Sequence, residues 1–139
     1  MVVSVKGLPQ EYVSCLWHYD DEEIKRRFNI KGTKVADGYG CTTIGNTKFL
    51  YEKKTKRHIQ KAITQLQATA EKILDMGQKI DIAFILCERI SKPEKSTFER
   101  RKIKGQDGNF LWDMGIKKPV ELKHKTWSIP VKLFYKGER

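Results

Sequence analysis

Asp37, Glu52 and Lys54 are the residues of this chain whose types and spacing point to chemistry: an aspartate, fourteen intervening residues, then Glu-x-Lys. Side chains alternate between the faces of a strand, so Glu52 and Lys54 are expected to project together while Tyr51 and Lys53 project the other way. A bend ahead of that strand can bring Asp37 beside them. Two neighbouring carboxylates are hard oxygen ligands suited to Mg²⁺, which takes one or two protein carboxylates and keeps several waters. Such a metal, with Mn²⁺ as a substitute, lowers the pKa of a bound water and neutralises charge growing on a phosphoryl oxygen. A lysine beside it orients the attacking water or adds positive charge at the phosphate. That is the equipment for phosphodiester hydrolysis.

A second Glu-x-Lys, Glu121 with Lys123, follows Asp113. Only seven residues separate Asp113 from Glu121, too few for a comfortable hairpin, and no amphipathic helix follows, so the first set is preferred. His18, His58 and His124 are dispersed without metal-ligand spacing. His58, four residues after Lys54, could touch a substrate phosphate. No serine lies in a nucleophile-elbow sequence and no glycine-rich phosphate loop is present.

The elements that must position the first set are readable from periodicity. From Pro9 to Ile30, the residues Val13, Leu16, Trp17, Ile24 and Phe28 fall at helical spacings, with Asp20 or Asp21 able to cap a second helical segment and Gly32 to stop it. Residues 34–54 change to short extended runs around Gly45-Asn46, which predicts an antiparallel hairpin. Over 58–76, Ile59, Ala62, Ile63, Leu66, Ala70, Ile73 and Leu74 form one apolar stripe closed by Gly77, which predicts a long amphipathic helix. The apolar run 80–87 reads as a strand covered on both faces, placed by a crossover parallel to the hairpin. Residues 91–109 read as a basic loop, and 127–136 as a last strand that Pro130 would confine to an edge or bulge. Helix, hairpin, helix and strand together imply one α/β domain.

Composition narrows the partner. The 139 residues carry 28 Lys+Arg against 17 Asp+Glu, a formal net charge of +11. Residues 1–50 hold 7 basic and 6 acidic side chains, 51–90 hold 8 and 5, and 91–139 hold 13 and 6. Charge concentrated in one third of a small domain favours a polyanion, since each cation placed on a phosphate releases condensed counterions. Lys53, Lys56, Arg57 and Lys61 surround the proposed site, and Arg100, Arg101, Lys102 and Lys104 crowd the basic loop, so these are the candidate nucleic-acid contacts. Phe110, Trp112 and Trp127 read better as core than as base-stacking platforms. Cys15, Cys41 and Cys87 are an odd set without a CxxC pair, read as buried small hydrophobes rather than a disulfide or zinc framework. No stretch is long and apolar enough to span a membrane and no secretory leader is evident, so an intracellular, cytoplasmic protein is expected.

Asp37, then YEKKT at 51–55, then QLQATA at 65–70 resemble the signature of the PD-(D/E)xK nuclease superfamily, over about residues 20–87. The resemblance implies a restriction-endonuclease-like core, a mixed sheet of antiparallel hairpin plus parallel strand flanked by helices. It makes Asp37 and Glu52 the metal ligands and Lys54 the catalytic lysine. Gln65 would match the glutamine of the QLxxY element, and Glu22 or Glu23 are candidates for an additional acid on the first helix. Two positions depart from the pattern: Ala36 replaces the motif proline and Thr69 the motif tyrosine. The implied function is a Mg²⁺-dependent endonuclease acting on branched or duplex DNA, a homodimer so that two sites meet two strands. The main alternative is a non-catalytic nucleic-acid-binding module on the same core, and a third reading, from another class, is a structural or protein-interaction component whose lysines serve solubility only.

Overall fold

The computed structural model describes residues 2–54, 59–90, 111–113 and 121–138. Its chain runs β1 (Val3–Ser4), a single 3-10 turn (Gln10–Tyr12), β2 (Ser14–Asp20), α1 (Asp21–Arg27), β3 (Gly38–Thr42), β4 (Lys48–Lys54), α2 (Ile59–Asp75), β5 (Ile82–Ile90), β6 (Leu111–Asp113), β7 (Glu121–Lys123) and β8 (Ser128–Glu138). The strands order as β1-β2-β3-β4-β5-β8-β6, with β7 paired to β8. β1 to β4 are antiparallel to one another, whereas β5 runs parallel to both β4 and β8. This is the mixed α/β sheet expected, with the amphipathic helix α2 as the crossover that makes β4 and β5 parallel.

Two apolar layers sandwich the sheet. On one face Tyr39, Leu50, Ala83, Ile85, Val131 and Leu133 pack against Ile24 and Phe28 from α1 and its end and Ala62, Leu66, Ala70 and Ile73 of α2. On the other, Phe49, Tyr51, Phe84 and Phe134 form an aromatic layer roofed by Leu8 and Tyr12 from the N-terminal segment. The rings of Tyr51 and Phe84 lie 5.3 Å apart at only 7°. All three cysteine thiols are buried. Among the described residues no helix is long and apolar enough to cross a membrane.

Local signals mostly act where expected. Gly45 (φ 82°) and Asn46 (φ 49°) take the left-handed turn of the β3–β4 hairpin. Thr42 clamps that turn, its hydroxyl donating to the Ile44 carbonyl and accepting from the Thr47 amide. α2 ends in a Schellman arrangement, Gly77 N–H donating to Leu74 O and Gln78 N–H to Ile73 O. Asp20 caps α1 by accepting from the Glu23 amide.

Three expectations need correction. Residues 14–20 are strand, not helix. From Trp17 onward the strand alternates, Trp17 and Tyr19 packing toward the helices and His18 between them facing Tyr51, while the register shift between Cys15 and Trp17 puts Cys15 in the aromatic layer. α1 stops before Gly32: Phe28 caps it and Asn29 takes the left-handed conformation (φ 54°). Pro130 does not confine β8 to an edge, since β8 lies between β5 and β6. The ladder to β5 begins one residue later, at Val131, so the missing amide leaves it intact. The basic loop at 91–109 lies outside the described residues.

Candidate metal centre

Asp37 stands immediately before β3, whose first residue Gly38 faces Tyr51 of β4. The next step of that antiparallel register sets Asp37 level with Glu52. Two hydrogen bonds fix it there. The Asp37 amide donates to the Tyr51 carbonyl at 2.9 Å, and Asp37 Oδ2 accepts from the Lys53 amide at 2.6 Å. The carboxylate thus stands in for a main-chain carbonyl at the end of the ladder, holding its charge against the strand segment that carries Glu-x-Lys.

Glu52 is fully buried. It lies two residues beyond Leu50 and opposite Ile85, both in the layer under the helices. A carboxylate withdrawn from water costs several kcal/mol unless hydrogen bonds, a proton or a cation compensate it. Glu52 is thus a carboxyl group set in an otherwise apolar layer. Lys54 follows two residues along β4, opposite Cys87. Its side chain lies outside the described set.

α2 closes the site from above. Thr69, almost fully buried, donates its hydroxyl to the Gln65 carbonyl at 2.8 Å and accepts from the Ala36 amide at 3.0 Å. The helix is thereby tied to the residue preceding Asp37. Thr69 is the position that departs from the motif tyrosine, and sequence reasoning gave it no role. Gln65, one turn earlier, is half-buried, and its buried Oε1 has no hydrogen-bond partner among the described residues. An amide oxygen held dry at the flank of the site is available to a water or a substrate donor.

Other candidates lie elsewhere. Glu23 is engaged by Arg26 and Arg27 of its own helix, and the Arg26 bond first, then Arg27, holds its carboxyl below the usual range. Glu22 is exposed, 3.8 Å from Lys25. Both line a groove with Asp20, Lys25, Arg26 and Lys31 that includes neither Asp37 nor Glu52. Lys53 and Lys61 are exposed, whereas Lys56, Arg57, His58, Arg100, Arg101, Lys102 and Lys104 fall outside the described residues.

The opposite face of β4 holds residues that sequence reading passed over. His18 Nε2 lies 2.8 Å from the Tyr51 hydroxyl, with the two rings stacked at 29°. Burial pushes the Tyr51 phenol up, helped by the charges of Asp37, Cys15 and Asp20. Burial also pushes His18 down, opposed by Asp20 and reinforced by Lys53. A signal for this face was present: Gly38 and Gly40 alternate along β3 opposite Tyr51 and Phe49, glycines leaving room for aromatic rings on the neighbouring strand.

Among the described residues no group of three or more His, Cys, Asp and Glu is arranged to hold a metal ion. Two carboxylates at one register level would offer the hard oxygen donors that Mg²⁺ takes rather than those of a structural Zn²⁺. No protein-family model, curated protein or solved structure matches the chain.

Proposed function

We propose that the chain is a divalent-metal-dependent deoxyribonuclease of the PD-(D/E)xK type, with Asp37 and Glu52 as the residues that would hold the ion. The observation that carries this reading is the 2.6 Å bond from the Lys53 amide to Asp37 Oδ2, which draws the aspartate onto the strand that bears Glu52 and Lys54. The order of elements supports it: helix α1, the β3–β4 hairpin, helix α2, then β5 parallel to β4.

When bound, Mg²⁺ would supply an activated water and neutralise charge at the scissile phosphate. The chain's own residues do the rest. Asp37 is held by its two bonds to β4, so its other carboxylate oxygen would be available to the ion at no further cost in ordering. Glu52, in a water-poor layer, presents a carboxylate whose attraction for a cation is stronger than at the surface. Lys54 is assigned to orient the attacking water and offset phosphate charge, and Gln65 to hold that water or a substrate hydroxyl through Oε1. The Lys/Arg excess of residues 51–139 positions DNA by backbone contact without reading sequence. A homodimer is assigned because cutting two strands calls for two such sites.

The test is cleavage of plasmid and branched DNA in Mg²⁺ or Mn²⁺. Glu52→Gln is expected to abolish cleavage while DNA binding persists, with a log–log salt slope of roughly −4.5 for a footprint of about 5 phosphates. The complete burial of Glu52 favours one second reading, a non-catalytic nucleic-acid-binding module. Salt-dependent DNA binding by the unaltered chain, with no cleavage in either metal, would select it.

A further inference from the structure

The aromatic side of β4 holds Asp37 as firmly as its hydrogen-bonding edge does. Tyr51 projects away from the helices, and its ring covers Gly38, the residue that follows Asp37. A Cβ built on Gly38 would meet Tyr51 Cε1 and Cζ at 2.3 Å and the hydroxyl oxygen at 2.4 Å. The distal end of the ring therefore rests on the Gly38 backbone itself. The ring cannot withdraw: Phe84 stacks on it at 5.3 Å, Phe49 lies at 6.0 Å, and His18 grips its hydroxyl at 2.8 Å. Tyr51 also accepts the Asp37 amide through its own carbonyl. One residue thus holds Asp37 from the strand edge and, through Gly38, from the sheet face. The same three-residue run then supplies the Lys53 amide that fixes the carboxylate.

We infer that Tyr51, locked by His18, is a positioning residue that holds the Asp37 carboxylate at its bond to the Lys53 amide and so keeps it level with Glu52. The inference rests on the metal-site reading for its consequence in catalysis, but not for its geometry. The hydroxyl matters beyond the ring because its bond to His18 is directional, whereas the stacking contacts with Phe84 and Phe49 permit sliding in plane. Groups that hold a ligand's orientation from behind typically change metal affinity by about 10- to 100-fold when removed.

The experiment compares the full chain with Tyr51→Phe, which keeps the ring over Gly38 and removes only the bond to His18, and with His18→Leu and His18→Gln. Residue-resolved amide exchange reads the geometry. The Asp37 and Lys53 amides are expected to exchange about 10-fold faster in Tyr51→Phe and His18→Leu, with those of Ala83 and Ile85 unchanged. Partial recovery is expected in His18→Gln, which can still bond the hydroxyl. Unchanged exchange at Asp37 and Lys53 would overturn the inference, as would an equal rise at Ala83 and Ile85, which would make Tyr51 ordinary core. Mn²⁺ titration with cleavage as readout tests the consequence. The half-saturating Mn²⁺ concentration is expected to rise about 10-fold in Tyr51→Phe with the rate at saturation retained. Faster exchange in a chain whose unaltered form neither binds Mn²⁺ nor cleaves would uphold the positioning role and overturn the metal-site reading instead.

Discussion

Two regions of the molecule carry the same string of residue types, and they are built differently. In the first, Asp37, just ahead of β3, is level with Glu52 of β4, one carboxylate bonded to the β4 backbone and the other fully buried beneath α2. In the second, Glu121 and Lys123 sit on three-residue β7, and Asp113 sits on three-residue β6. Both strands pair with β8, Asp113 level with Lys132 and Glu121 level with Pro130. Glu121 takes the Ser128 hydroxyl at 2.7 Å, and Lys123 is exposed. The difference lies in what surrounds the acids. The β3–β4 hairpin sets the first pair level, Glu52 fully buried beneath α2 and Asp37 half-buried, whereas Asp113 and Glu121 lie on different strands at separate positions along β8.

The largest expected effect breaks the comparison outright. Asp37→Asn and Glu52→Gln should each lower metal-dependent cleavage by at least about 100-fold, the scale of removing one group that acts only as charge develops. Glu121→Gln and Asp113→Asn should leave it within about twofold. Loss at the second pair with retention at the first would move the site to β6–β8. Folding of each variant is checked by circular dichroism, because Glu52 is buried and its replacement can perturb packing.

Next in size is the crowding at Gly38. A methyl there meets a ring wedged by Phe84, Phe49 and His18, so Gly38→Ala should cost about 3 kcal/mol, the upper end for overpacking a filled core. Urea unfolding measures it. Smaller again is Thr69→Val, which keeps shape but strips the Ala36 amide of its acceptor; about 1–2 kcal/mol is expected for a buried donor left unpaired. Thr69→Ser should recover most of that. If instead Thr69→Val is neutral, α2 does not tie down the approach to Asp37, and the two regions differ less than the geometry indicates.

The parts of this contrast that periodicity could reveal were the hairpin, α2 and β5. Each rests on a local rule: Gly45-Asn46 for the turn, the 3.6-residue stripe with Gly77 for the helix, an unbroken apolar run for the doubly covered strand. What sequence reading missed depends on partners distant along the chain. Val13, Leu16 and Trp17 fit a helical stripe as well as they fit a strand, and only the ladder to β3 decides between them. Thr69 looks like a helix residue that lost a tyrosine until Ala36 is seen beside it. Tyr51 looks like the residue before a glutamate until it is seen lying on a glycine thirteen positions earlier.

The smallest effect concerns the histidine that locks that tyrosine, and its sign follows from burial. His18 is held below its ordinary value chiefly because the folded protein withdraws it from water, with Lys53 reinforcing and Asp20 opposing. Between its folded value and the ordinary value of about 6.5, the unfolded chain binds more protons than the folded one, so stability falls as pH falls through that window. Above it both states hold the ring neutral and the slope from this group vanishes. His18→Gln should therefore flatten the decline in urea midpoint below pH 6.5 while changing it little at pH 8, with substitution at exposed His124, beside the second region, as the control. A decline equally steep without His18 would mean that the acid sensitivity of the fold arises elsewhere, and that the first region's aromatic face is held by packing rather than by a titrating bond.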